Sequence, residues 1–359
     1  MKKLDERKII METKELYKRI QEDNNPIFIW GTGALARDIY KYCENFNIKI
    51  EAFFVNDGKL LEEFEGHRVF SLEEVVHNYQ KISVIIGHHH YESGIRFLDE
   101  IKNIEKIYTI PVVSYEMWDD ISLEELHYNK DRWEGIYKQL EDDMSRKCLA
   151  AYLKARIQND AREMFGCYDE TKNYYTQDFL ELSGSEIFLD IGACLGEAIW
   201  SFISAVSGKY KKIIALEPET KNYEKLDKMI KQKNCGDIEL KKVCAWKEAG
   251  KVQFQGDGEL GGITDDEDNG SYERQAVAID CFEEKFSLIK INFPYSVSEV
   301  LEGGDKLLKY QKPKLIIRIG FNEKLVLDTF EKIKEINNKY HIYFRYTLGM
   351  PEGLTLYAV

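Results

Sequence analysis

An apolar run that breaks at a glycine turn into a helix-forming segment occurs twice in this chain, as FIWGTGALARDIY at residues 28–40 and as FLDIGACLGEA at 188–198. This junction constrains a fold strongly. A buried strand that stops at glycine and restarts as a helix belongs to a parallel sheet, whose ligands lie at the carboxyl ends of the strands. The flanking sequence keeps the same rhythm. IFIWG, KIEAFFVND, HRVFS, ISVIIG and KIYTIP read as strands, with helical stretches between them at 34–45, 72–79 and 94–102. After a more polar stretch come EIFLDIG, KKIIALEP, IELKKVCAW, KVQFQ, QAVAID, LIKINF, PKLIIRIG, HIYFRYT and LTLYAV. Only LGMPEG separates the last two, which predicts an antiparallel pair closing an otherwise mostly parallel sheet.

A chain of 359 residues exceeds what one hydrophobic core usually serves. The pattern predicts an α/β protein with two Rossmann-like domains: an N-terminal helix and small domain over 1–113, a helical connector over 114–183, and a larger domain over 184–359. The connector carries Leu149, Tyr152, Leu153 and Ile157 at helical intervals. Lys and Arg number 50 against 63 Asp and Glu, a net charge of −13 without a local basic stripe, so no nucleic-acid partner is expected. Apolar runs are too short for a bilayer, and the opening MKKLDERKIIMETKELYKRI reads as a charged helix, which predicts a cytoplasmic protein without a membrane partner. Seven cysteines are scattered singly, which fits reduced thiols better than a disulfide framework or a zinc site.

In the second junction a buried strand delivers Asp190 to its carboxyl tip, Gly192 and Gly196 allow close backbone approach, and a helix begins at once. The next strand ends in Glu217, placed to accept hydrogen bonds from two ribose hydroxyls. A strand-end acid, a glycine turn and a second strand-end acid one βα unit later suit NAD and S-adenosylmethionine alike. The C-terminal hairpin is more typical of methyltransferase sheets.

FLDIGACLGEA, ALEPETKNYEKL, AVAID and LIKIN, followed by EVLEGGDKLLKYQKPKLII, resemble in order and spacing the FkbM family of S-adenosylmethionine-dependent methyltransferases, over roughly residues 174–359. The resemblance implies a class I methyltransferase fold and O-methylation, often of sugars and natural products. It implies that Asp190 orients the methionine amino group above a turn formed by Gly192, Ala193 and Gly196. It also implies that Glu217 holds the ribose and that Cys244, Ala245 and Trp246 lie near the adenine.

The chain departs from the family where the acceptor binds. Relatives carry a stretch like IKIDVEGAE, whose Asp sits beside the transferred methyl; here the sequence is IKINFPYSVSEV, with Asn292 in that place. An amide cannot take a proton at neutral pH, so the catalytic role of Asn292 is confined to positioning. Arg318, Arg345 and Tyr346 stand where relatives have histidines, His341 reads as structural, and GDGELGGITDDEDNG at 256–270 reads as a loop over the acceptor.

The first junction, GTGALA, matches GxGxxA, and Asp57 follows the second strand. With about four strands ahead of TIPVV, the domain is short for NAD. It resembles the small Rossmann-like domains fused to bacterial sugar acetyltransferases. Gly31, Gly33, Ala34, Asp57 and His88 are its candidate ligand residues; His88, His89 and His90 are adjacent and diverge, which disfavours a metal. The expectation is a methyltransferase using S-adenosylmethionine, no metal, and a sugar, nucleotide-sugar or related small-molecule acceptor of a glycan pathway. A homo-oligomer is compatible with it. A non-catalytic scaffold that binds S-adenosylmethionine or a nucleotide-sugar through a degenerate methyltransferase site and, less favoured, a nicotinamide-dependent oxidoreductase stay open.

Overall fold

The computed structural model describes residues 13–56, 61–110, 123–158, 160–233, 235–255, 262–264, 271–292 and 296–359. The chain forms two compact units. The first comprises Met1–Asp131, Lys147–Tyr168 and Leu348–Gly353; the second comprises Arg132–Arg146, Asp169–Thr347 and Leu354–Val359.

The first unit is built on strands β1 (Ile27–Trp30), β2 (Ala52–Val55), β3 (Glu63–Phe64), β4 (His67–Ser71), β5 (Ile82–Ile86) and β6 (Ile104–Tyr108), in the spatial order β3-β4-β2-β1-β5-β6. Among the described residues there are six strands; the five runs read as strands are present, and the two-residue β3 is added. All pairings are parallel except the short β3–β4 ribbon. Alternation along β1 decides the packing. Ile27 and Ile29 join Leu35, Ala36, Ile39 and Cys43 of the helix Ala34–Asn45 on one face, while Phe28 and Trp30 join Val75, Tyr91, Ile95 and Leu98 on the other. Both faces are covered, as a doubly wound sheet requires. Ser71 starts the helix Leu72–Asn78 with a capping box, accepting from the Glu74 N–H while Glu74 accepts from the Ser71 N–H.

The second unit contains β7 (Ile187–Ile191), β8 (Lys212–Leu216), β9 (Ile238–Lys241), β10 (Cys244–Ala245), β11 (Gly250–Gln255), β12 (Gly262–Ile263), β13 (Tyr272–Val277), β14 (Leu288–Ile291), β15 (Lys314–Arg318), β16 (Ile342–Tyr346) and β17 (Leu354–Ala358). Seven of them form a sheet in the order β16-β17-β15-β14-β7-β8-β9, parallel but for β17, which runs against both neighbours. The antiparallel closing pair is therefore present. KVQFQ and QAVAID, read as strands of the same series, fall instead into a separate sheet, β10-β13-β11-β12. Strand propensity gave their type but not their partners, which the long pairings from Gly250↔Ala276 to Phe254↔Tyr272 decide. One core cluster gathers Phe188, Ile213, Ala215, Leu288, Ile316 and Tyr357 of the sheet with Tyr175, Ile199, Phe202 and Leu226. Helices at Leu123–Tyr128, Lys130–Gln139 and Asp143–Gln158 account for the helical character of the connector.

In the first unit a buried carboxylate ties strands to the preceding loop. Asp23 accepts hydrogen bonds from the hydroxyls of Ser83 (2.6 Å) and Tyr108 (2.8 Å) and pairs with Lys106 at 3.2 Å. Burial works to raise its pKa, but these donors and the Asn25 N–H together hold it below the ordinary 3.8. Asp23→Ala strands two hydroxyls and is expected to cost about 1–3 kcal/mol in denaturant unfolding. A carboxyl depressed in the folded state stabilises it above the unfolded pKa, so the deficit should be full above about pH 4 and shrink as pH falls through the depressed value.

Candidate functional site

The site of the second unit lies at the carboxyl ends of β7, β8 and β14. Asp190 is fully buried near the tip of β7, and Lys290, also buried, is its direct partner in register on β14. The Lys290 Nζ stands 3.7 Å from Asp190 Oδ1, an ion pair longer than a hydrogen bond, and neither carboxylate oxygen has a hydrogen-bond partner. Burial pushes the Asp190 carboxyl up to about 6, against the pull of Lys290 and with a further push from Glu197. This is a buried charge-bearing group whose acceptor sites are unused.

The turn after β7 holds two glycines in left-handed geometry, Gly192 at φ 76° and Gly196 at φ 86°, with Cys194 between them at φ 49°. Gly192 and Ala193 donate their N–H groups to Leu216 O, which folds the turn over the end of β8. Gly196 caps the helix Glu197–Ala205, and a Cβ there would come within 2.6 Å of Leu226 Cδ1 and 3.1 Å of Trp200 Nε1. Glu217 follows β8 and is buried. Its two oxygens accept one N–H each, from Cys194 (2.7 Å) and Glu219 (2.9 Å), leaving acceptor capacity on both. Burial raises this carboxyl to about 7, against the two N–H donors, and the nearby Glu219 and Asp190 add to the rise.

Cys244 and Ala245 are buried in β10, next to Ala276 and Val277 of β13, and burial drives the Cys244 thiol up to about 12, so it is an apolar wall rather than a nucleophile. Trp246 is half-buried and donates its N–H to Val277 O. Asn292 continues β14, its N–H bonded to Ile191 O at 3.0 Å and its Oδ1 buried without a partner. Residues 293–295 and most of 256–270 lie outside the described residues. Arg345 is committed to Asp142 (2.5 Å) and Ser145, and the exposed His341 pairs with Glu141.

Two residues of this site were not legible as candidates. Lys290 reads in sequence as a break in an apolar strand. Arg274 of β13 donates to Pro218 O (2.7 Å) and Thr220 Oγ1 (2.6 Å), clamping the loop that carries Glu217, yet its position in sequence connects it to nothing there.

In the first unit, Gly31 adopts φ 123°, and a Cβ on it would reach Gly87 O at 3.0 Å; Gly87 in turn has no room for a Cβ, with Ala36 Cβ at 2.8 Å and Trp30 O at 2.9 Å. Around Gly33, which starts the helix at Ala34, the space is open. The half-buried His88 stands edge-on to Trp30, ring centroids 4.5 Å apart, and accepts from the His90 N–H. Gly31, Gly33, Ala34 and His88 thus lie at the carboxyl ends of β1 and β5, while Asp57 lies outside the described residues. Among the described residues no three His, Cys, Asp or Glu side chains are grouped to hold a metal, and no helix is long and apolar enough to cross a membrane.

With this geometry in view, the comparisons give a class. The crystal structure of an FkbM methyltransferase from Methylobacillus flagellatus KT aligns with a TM-score of 0.69 and 18% identity, covering 99% of this chain and 96% of that one. Together with the strand order, the likeness defines a Rossmann-like α/β fold of the methyltransferase type. Residues 190–340 match the methyltransferase FkbM domain. Two further structures score too low to bear on the fold. A methyltransferase from Geobacter sulfurreducens has a TM-score of 0.29 and 15% identity, covering 69% of this chain and 97% of that one. The Pyrococcus abyssi tRNA (uracil-54, C5)-methyltransferase, solved in complex with S-adenosyl-L-homocysteine, has a TM-score of 0.29 and 14% identity, covering 48% and 33%. No curated protein matches the chain.

The two glycine turns should respond differently to a methyl group. Gly196→Ala combines a left-handed backbone with a clash against Leu226 and is expected to lower stability by about 1–3 kcal/mol. Gly33→Ala, with φ −92° and open space, should cost less than about 1 kcal/mol in the same denaturant titration.

Proposed function

We propose that the second unit binds S-adenosylmethionine and methylates a hydroxyl of a sugar, nucleotide-sugar or related small metabolite. The observation that carries this reading is the buried Asp190, whose two oxygens lack hydrogen-bond partners beside a left-handed glycine turn. A buried carboxylate is costly unless paired, and a ligand ammonium would supply the missing partner. The residues present fit such a ligand. Asp190 would hold the amino group, Gly192, Ala193 and Gly196 would keep the backbone close beneath it, Glu217 would accept the ribose hydroxyls, and Cys244 and Ala245 would offer an apolar wall to the base. When bound, S-adenosylmethionine supplies a methyl group activated by its sulfonium. The chain contributes orientation: the strand tips hold donor and acceptor in one crevice, and proximity of this kind is worth several kcal/mol of barrier. The FkbM match supports the reaction class. In the first unit, the turn at Gly31, Gly33 and Ala34, with His88 beside it, would bind a nucleotide-sugar.

A second reading, a scaffold that keeps ligand binding without turnover, is favoured by one observation, the amide at 292 where a base is needed. Calorimetry with S-adenosylhomocysteine tests the shared part. Wild type should bind it and Asp190→Asn should bind at least about 10-fold more weakly, the loss of one charge-assisted contact; a wild-type protein that fails to bind would end the methyltransferase reading and leave only a nucleotide-sugar-binding scaffold. Methyl release across a panel of nucleotide-sugars separates them, since turnover supports the enzyme and inactivity throughout supports the scaffold. Asn292→Asp is expected to raise turnover if proton removal limits the rate.

A further inference from the structure

An enzyme whose acceptor hydroxyl must lose a proton, but which carries Asn292 at the expected base, needs another group on the same face of the sheet. Side chains two residues apart on a strand share a face. Lys290 and Asn292 therefore lie on the face of Asp190, and the register Ile291↔Ile317, carried one step on, sets Asn292 beside Arg318. Arg318 pairs with Thr355 of β17, and Thr355 shares a 2.8 Å hydrogen bond with Thr347. A row Asn292, Arg318, Thr355 and Arg345 thus runs along the edge of the sheet, with Thr347 hydrogen-bonded to Thr355, next to the row Asp190, Lys290.

The segment before β7 covers this face. Tyr175 packs edge-on to Phe188 and Phe202, and Phe179 stacks on Tyr343 with ring centroids 4.0 Å apart. At the start of the segment the half-buried Tyr174 has its ring over the Lys290 ammonium, 5.1 Å from the centroid, and Arg318 and Thr347 are among the groups that act on its phenol. The Arg318 Nε is buried with no hydrogen-bond partner, and among the described residues no carboxylate pairs with this guanidinium.

From this arrangement we infer that the Tyr174 hydroxyl takes the acceptor's proton in place of the carboxylate missing at 292, with Arg318 holding the phenolate form. The inference rests on the methyltransferase reading above. The proton passes from the acceptor O–H to the Tyr174 phenolate oxygen as the acceptor oxygen bonds the methyl carbon, and the electron pair of the broken carbon–sulfur bond stays on sulfur.

The electrostatics agree. Burial works to raise the Tyr174 phenol, but the Arg318 and Lys290 cations, with hydrogen bonds from Thr347 and Arg318, outweigh it and leave the pKa lowered. The other groups facing it differ. Burial raises Tyr175 and Tyr357 well above the ordinary value, Asp190 is shared with Lys290, and Arg345 is held by Asp142. Of the tyrosines in this cluster Tyr174 is the one whose phenol is lowered rather than raised.

The test compares wild type, Tyr174→Phe and Arg318→Gln, each saturated with S-adenosylhomocysteine. The wild-type minus Tyr174→Phe difference in tyrosinate absorbance should show one phenol ionising below the bulk of the tyrosines, and Arg318→Gln should move that ionisation to higher pH. With ligand affinity kept within about twofold, Tyr174→Phe should lose at least about 100-fold of methyl transfer together with the rising limb of its pH profile. An absent low-pH phenol, or transfer retained within about threefold by Tyr174→Phe, overturns the inference. Loss of S-adenosylhomocysteine binding in the wild type brings down the methyltransferase reading itself and is seen first, in the same titration.

Discussion

A carboxylate and an ammonium face each other across two neighbouring strands at the centre of the second unit. Burial of either charge alone would cost several kcal/mol, and their 3.7 Å separation compensates only in part. The pairing is a consequence of register: β7 and β14 align Asp190 with Lys290, and a slip of β14 by one residue would turn Lys290 to the face opposite Asp190. The sheet order depends on the same alignment, because β14 bridges β7 to β15 and so carries the closing hairpin.

The rest of the crevice is arranged around this incomplete neutralisation. Glu217, a second acid raised by burial, receives an N–H from the very turn that follows Asp190, so the glycine turn and the second strand tip are fixed as one piece. Arg274 reaches from the smaller sheet to hold the chain on both sides of Glu219. The two carboxyls, raised by burial to about 6 and about 7, are the groups on which the proposed binding of a cationic ligand rests.

Local signals made much of this legible in the sequence. A strand that ends in Asp and turns on glycine is written within FLDIGACLGEA, and the second acid within KKIIALEP, because each depends on contiguous residues. The antiparallel ending was legible from the short LGMPEG link. What depends on pairing between distant strands was not. Lys290 looks like an interruption in LIKIN until β14 is laid against β7, and the strands at Gly250–Gln255 and Tyr272–Val277 carry no mark that sends them to a separate sheet. Tyr174 is still less visible, since its environment is assembled from β14, β15 and the residue after β16. In the first unit the glycine turn at 31 was legible, whereas the tight approach of Gly87 depends on how two distant strands lie together.

Proton linkage tests the central claim, that Asp190 is a partly neutralised acid waiting for a cationic ligand. Calorimetric titration of S-adenosylhomocysteine at pH 6.5, repeated in buffers of different ionisation enthalpy, counts protons exchanged on binding. A carboxyl raised to about 6 and Glu217 raised to about 7 are both driven toward the anion by an ammonium and ribose hydroxyls, so binding should release protons. The release should fall in Asp190→Asn. Binding without proton release, or an equal release from Asp190→Asn, would contradict the account.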